Sequence, residues 1–100
     1  MKPFAFHPEA DAEFIASLEH YASITPDLGD RFYDEVHRLI ADACTMPQVF
    51  RFIRPPARRH LSRDFPFGLI YVDQPDRIWI LAVMHLHRAP GYWRHRLPRS

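Results

Sequence analysis

The stretch HLHRAPGYWRHRL, from His85 to Leu97, gathers three imidazoles, three guanidinium groups, a phenol and an indole directly behind a strongly apolar run. Such groups suit acid–base cleavage of a phosphodiester, which needs a base for the attacking hydroxyl, an acid for the leaving oxygen and cations for the charge on the phosphorane. His85, His87 and Tyr92 offer proton transfer, and Arg58, Arg59, Arg63 and Arg88 offer phosphate stabilisation. His85 and His87 stand two apart, so on a continuing strand they share a face at roughly 6 to 7 Å. The candidate catalytic set is therefore His85, Arg63, Arg88 and Tyr92.

Two other readings fit the same residues. Arg58, Arg59 and Arg63 fall within six positions and repel one another unless an anionic partner is present. Arg51 and Arg54 extend that patch, and His87, Trp93 and Arg94 join it as a contact surface for a macromolecule. Alternatively the segment only maintains the fold: Pro90-Gly91 turns the chain, Tyr92 and Trp93 cap an open edge of the core, and His85 is a hydrogen-bonded core histidine.

Other chemistries are excluded on spacing. His85-x-His87 lacks a third ligand at compelling separation, so no metal site is expected. His60, Ser62 and Asp64 carry triad letters but project in parallel from an alternating strand. Glycines at 29, 68 and 91 cannot form a phosphate-cradling loop, and no cofactor is implied.

The elements that position these groups follow from patterning. One hundred residues support one hydrophobic core, hence a single domain over 1–100, and 47% apolar content is enough to build it without disulfides or structural metal. The single cysteine, Cys44, reads as a small buried apolar residue and fits a reducing compartment. No signal peptide is recognisable and no stretch reaches the roughly 18 apolar residues of a membrane span, so a cytoplasmic soluble protein is expected. Residues 1–50 hold three Lys/Arg against nine Asp/Glu, whereas residues 51–100 hold ten Arg against three Asp. A half so basic attracts nucleic acid, a ribosome or an acidic protein, or else neutralises the other half across the fold.

Phe4 and Phe6 predict a short strand ended by His7-Pro8. Pro8 opens a helix with Phe14, Ile15, Leu18, Tyr21 and Ala22 at helical spacing. Thr25-Pro26 caps and restarts a second helix, whose stripe is Leu28, Phe32, Val36, Leu39, Ile40 and Ala43, with Asp27/Arg31, Arg31/Glu35 and Asp34/Arg38 on the exposed side. The short connection predicts an antiparallel hairpin. Residues 48–57 read as a loop, followed by strands at Arg58–Ser62, Phe67–Asp73 and Arg77–His87 with DQPD as a turn. In the last strand Ile78, Ile80, Ala82, Met84 and Leu86 take one face, and Trp79, Leu81, Val83, His85 and His87 the other. Both faces are apolar, so the side without helices is either packed by loop and tail or left for another molecule. The expected fold is α+β, β-α-α-β-β-β, a helical hairpin packed on an antiparallel sheet.

Pro8-Glu9-Ala10, Tyr21, Pro26-Asp27-Leu28-Gly29-Asp30-Arg31-Phe32, Arg58-Arg59, Phe65-Pro66-Phe67, Ile70-Tyr71, Ile80-Leu81-Ala82-Val83, and His85 followed by Arg88-Ala89-Pro90-Gly91-Tyr92-Trp93-Arg94 occur in an order that resembles the RelE/ParE family of toxins from type II toxin-antitoxin systems. The similarity spans nearly the whole chain. It implies a helical hairpin on an antiparallel sheet and a growth-arresting toxin bound by a cognate antitoxin as a hetero-oligomer. Arg51, Arg54, Arg58, Arg59, His87, Trp93 and Arg94 then become target or antitoxin contacts. RelE-like members cut messenger RNA in the ribosomal A site, whereas ParE-like members inhibit DNA gyrase. The LGDRF junction and PGYW ending look closer to the ParE-like and plasmid-stabilisation members, which makes gyrase the expected target and ribosome-dependent mRNA cleavage the alternative. A non-toxic, partner-binding member is a third class. Phe67 stands where many relatives have tyrosine, and His87 where a second arginine is common.

Overall fold

The computed structural model describes residues 1–98. Its elements are β1 (Phe4–Phe6), α1 (Pro8–Ile24), α2 (Pro26–Thr45), β2 (Arg51–Arg54), β3 (Ala57–Leu61), β4 (Phe67–Asp73) and β5 (Ile78–His85), with a short 3-10 turn at Arg94–Arg96. The helices pack as a hairpin on one face of a five-stranded sheet of order β1-β5-β4-β3-β2. The α+β architecture matches the pattern in the sequence, with two differences. A strand, β2, occupies the segment expected to be a loop, and β1 joins β5 in parallel, so the sheet is mixed.

Local chemistry sets the hairpin. The His7 ring accepts from the Glu9 backbone N–H at 3.1 Å, and Pro8 begins α1. Thr25 serves two helices at once: its N–H donates to Tyr21 O, closing α1, while its hydroxyl accepts from Leu28 N–H at 3.0 Å and caps α2. Gly29 permits the close crossing. A Cβ there would stand 2.7 Å from Ala22 Cβ, so any larger residue would push the helices apart.

Between helices and sheet lie Phe14, Phe32, Val36, Leu39, Ile40, Phe67, Leu69, Tyr71, Ile78, Ile80 and Val83. Phe32 sits at its centre, 4.9 Å from Tyr21 and 5.0 Å from Phe67 between ring centroids. Ile15, expected on the apolar stripe of α1, is exposed. The tight α1–α2 crossing takes Phe14 and Tyr21 inward and leaves Ile15 on the outer side.

A second cluster, Ala57, Ile70, Val72, Leu81, Ala82, Met84 and Trp93, fills the opposite face. The tail packs that face, which resolves why β5 is apolar on both sides. The strict alternation expected along β5 fails at Leu81. Ile70 pairs with Ala82 but Tyr71 with Ile80, so Leu81 is an extra residue, a β-bulge. Past it the faces exchange: Ala82 and Met84 join the tail side, and Val83 turns to the helices.

Candidate functional site

The arginines of the second half separate into held and unheld groups. Arg58 points toward the end of α2, donates to Gln48 O at 3.2 Å and Phe50 O at 2.9 Å, and stacks over the Phe52 ring at 3.8 Å. Its guanidinium thereby fixes the α2–β2 connection. Arg59, its neighbour on β3, projects from the other face because strand side chains alternate. There it stands directly opposite Arg51 in the β2–β3 ladder. Like charges so placed repel, and the pair costs stability unless an anion joins it.

Arg54, Arg59 and Arg94 converge on one cleft of about 230 Å³, whose apolar lining includes Ile53, Met84 and Trp93. Among the described residues, none of Arg51, Arg54, Arg59, Arg63 and Arg94 forms a salt bridge with a carboxylate. Trp93 itself is only 3% exposed, so its part in any contact is to build the cleft from beneath. The Pro90–Gly91 turn borders the same cleft, and Gly91 adopts φ +72, a conformation glycine takes without strain.

The proposed catalytic residues do not all meet. β5 ends at His85, so His87 lies in the following turn rather than on a shared strand face. His85 Nδ1 accepts from the His87 N–H at 3.1 Å, and the two rings stand 4.9 Å apart at right angles. His85 and Arg88 line a small pocket with Glu13, Ser17 and Phe67. Arg88 covers the Tyr92 ring at 4.0 Å. The Tyr92 hydroxyl is buried with no hydrogen-bond partner among the described residues. Burial, reinforced by the nearby Glu13 carboxylate, drives its pKa far upward, which keeps the phenol neutral. Arg63 lies in the β3–β4 turn, where its backbone N–H donates to Glu35 Oε2 at 3.2 Å, and the same turn meets the residue after β5 through Leu86 N–H and Pro66 O at 2.9 Å.

Three polar networks escaped the sequence reading. Glu35, placed on the exposed side by spacing, is 7% exposed and receives Arg38 Nε at 2.7 Å, Arg38 Nη2 at 3.0 Å, the Ser62 hydroxyl at 2.6 Å and Arg63 N–H. The Arg38 hydrogen bonds, outweighing burial, hold its carboxyl at about 2. Asp42 bridges Arg38 and His60 at 3.1 and 2.8 Å, and His60 stacks on Phe50 at 3.9 Å. Arg96, buried in the tail, binds Glu13 through both terminal nitrogens. The only trace of these pairings in the sequence is the i,i+3 and i,i+4 spacing of Glu35, Arg38 and Asp42.

No family model matches the chain, and no curated protein matches it in sequence. Among solved structures it is similar to a chain of the chromosomal ParDE TA system from P. aeruginosa, with 16% identity and a TM-score of 0.74 over 87% of this chain and 98% of that one. At such identity the likeness is one of fold: the helical hairpin on a sheet inferred from the sequence is the arrangement that chain also has.

Proposed function

We propose that this chain is the toxin of a type II toxin-antitoxin pair, a single RelE/ParE-like domain over 1–100 of the ParE-like type. It acts in the cytoplasm by binding DNA gyrase and is neutralised by a cognate antitoxin in a hetero-oligomer. The observation that carries the reading is the cationic face: among the described residues Arg51, Arg54, Arg59 and Arg94 have no carboxylate partner, while the acids of the helices are on the other side or already paired. A surface held in that state suits an anionic macromolecular partner. The shared fold with a chain of a ParDE system supports the same reading.

Binding without chemistry is favoured over nuclease action by Tyr92. A hydroxyl that is buried and strongly resistant to ionisation makes a poor proton donor. One observation supports ribosome-dependent mRNA cleavage as a second reading: His85 and Arg88 line a common pocket. Purified chain added separately to gyrase and to translating ribosomes distinguishes them. Blocked supercoiling with intact transcript is the expected result; A-site cuts that vanish in His85→Ala would replace the first reading with the second.

A further inference from the structure

We infer that the cleft between the β2–β3 hairpin and the tail is a binding site for a phosphate group attached to a planar organic moiety, the chemistry of a nucleotide or a nucleic-acid strand. This deepens the toxin reading, on which its biological meaning rests.

Three features of the cleft carry the inference. First, Arg54, Arg59 and Arg94 enter one space of about 230 Å³, and none has a carboxylate partner among the described residues. Three guanidinium groups so placed offer three planar forks. A carboxylate, with two oxygens, is filled by one fork, whereas a phosphate presents three or four oxygens and engages several.

Second, the backbone is shaped to deliver these side chains. The Arg59 stem lies over Gly68 of β4, where an added Cβ would come within 3.4 Å of Arg59 Cγ. At Gly91 a Cβ would collide with Arg94 Nε, so glycine both allows the positive φ and leaves room for the guanidinium beside the turn. Third, the rest of the lining is apolar and already ordered. Met84 and Trp93 are buried in the second core, and Ile53 packs against it. A base or sugar resting there covers apolar surface while its phosphate meets the cations.

The cleft contains its own reporter. Trp93 lines it, and Trp79→Phe leaves Trp93 as the sole indole. Titrating that variant with AMP, with adenosine and with a short oligodeoxynucleotide should give a saturable fluorescence change with a phosphate-bearing probe and none with adenosine. Whichever of AMP and the oligonucleotide binds more tightly identifies the source of the phosphate. Arg59→Gln/Arg94→Gln should weaken that binding by roughly tenfold or more, equal to about 1.4 kcal/mol or more, and Gly91→Ala should weaken it by displacing Arg94. Arg63→Gln, a residue of the β3–β4 turn outside the cleft lining, should leave it unchanged. Equal response to adenosine, no saturable response to either phosphate probe, or full binding by the folded double variant overturns the inference. Growth arrest is scored separately: a chain that arrests growth but ignores all phosphate probes loses this site and keeps the toxin reading.

Discussion

Glu13 and Arg96 are joined by two hydrogen bonds, 2.9 and 3.0 Å long, across 83 positions of the chain. Their place explains them. β1 pairs with β5 only as far as Ile80, just before the bulge, so among the described residues the outer edge of β5 beyond that point has no strand beside it. Arg96 Nη1 donates to Leu81 O at 2.9 Å, and Glu13 Oε1 accepts from Val83 N–H at 3.2 Å. The ion pair thus satisfies backbone groups an absent strand would have taken, and it ties down the tail that carries Trp93.

Arg96→Met should lower unfolding free energy by about 3 kcal/mol, because Glu13 is left half-buried and uncompensated. Glu13→Leu/Arg96→Met should recover part of that loss. Urea unfolding of the two variants measures it, and a double variant no more stable than Arg96→Met would contradict the pairing.

Trp93→Ala should cost about 3 kcal/mol or more, since it empties the centre of the second cluster. Chemical denaturation checks the loss. If Trp93 were instead a surface contact, stability would hardly change and only partner affinity would fall.

Glu35 makes stability depend on acid. Its folded pKa of about 2 lies below the ordinary 4.5, so the carboxylate stabilises the fold above pH 4.5, and that contribution is lost as pH falls toward 2. Thermal unfolding between pH 6 and pH 2 should show a descent that Glu35→Gln flattens, with the variant about 2 kcal/mol less stable near neutrality. Equal slopes in both proteins would remove Glu35 as the cause.

Tyr92→Phe should be neutral or slightly stabilising, by up to about 1 kcal/mol, because a buried hydroxyl without a partner gains nothing from being there. Growth arrest should persist. Loss of toxicity in a stably folded Tyr92→Phe protein would restore a catalytic role for the phenol.

The helical hairpin, the main strands and Cys44 as a buried residue were legible because apolar spacing reports burial directly. β2 was not, since Arg51, Arg54 and the two prolines after it suppress the strand signal, although an edge strand tolerates them. Parallel pairing of β1 and the Leu81 bulge are set by tertiary contacts with no local signature. The arginine patch was visible as composition, but its division was not: Arg58 and Arg59 are adjacent in sequence yet serve opposite faces, one holding a loop and the other lining the cleft. Arg96 read as one more basic tail residue because its partner lies on α1, far away along the chain.

Growth of a bacterial host after induction of this chain tests the central claim most directly, with soluble expression confirmed and with or without the protein encoded beside it. The account predicts arrest by the chain alone, relief by the neighbouring protein, and weakened arrest for Arg54→Gln/Arg59→Gln/Arg94→Gln at wild-type stability. Unimpaired growth at the same soluble level would contradict it.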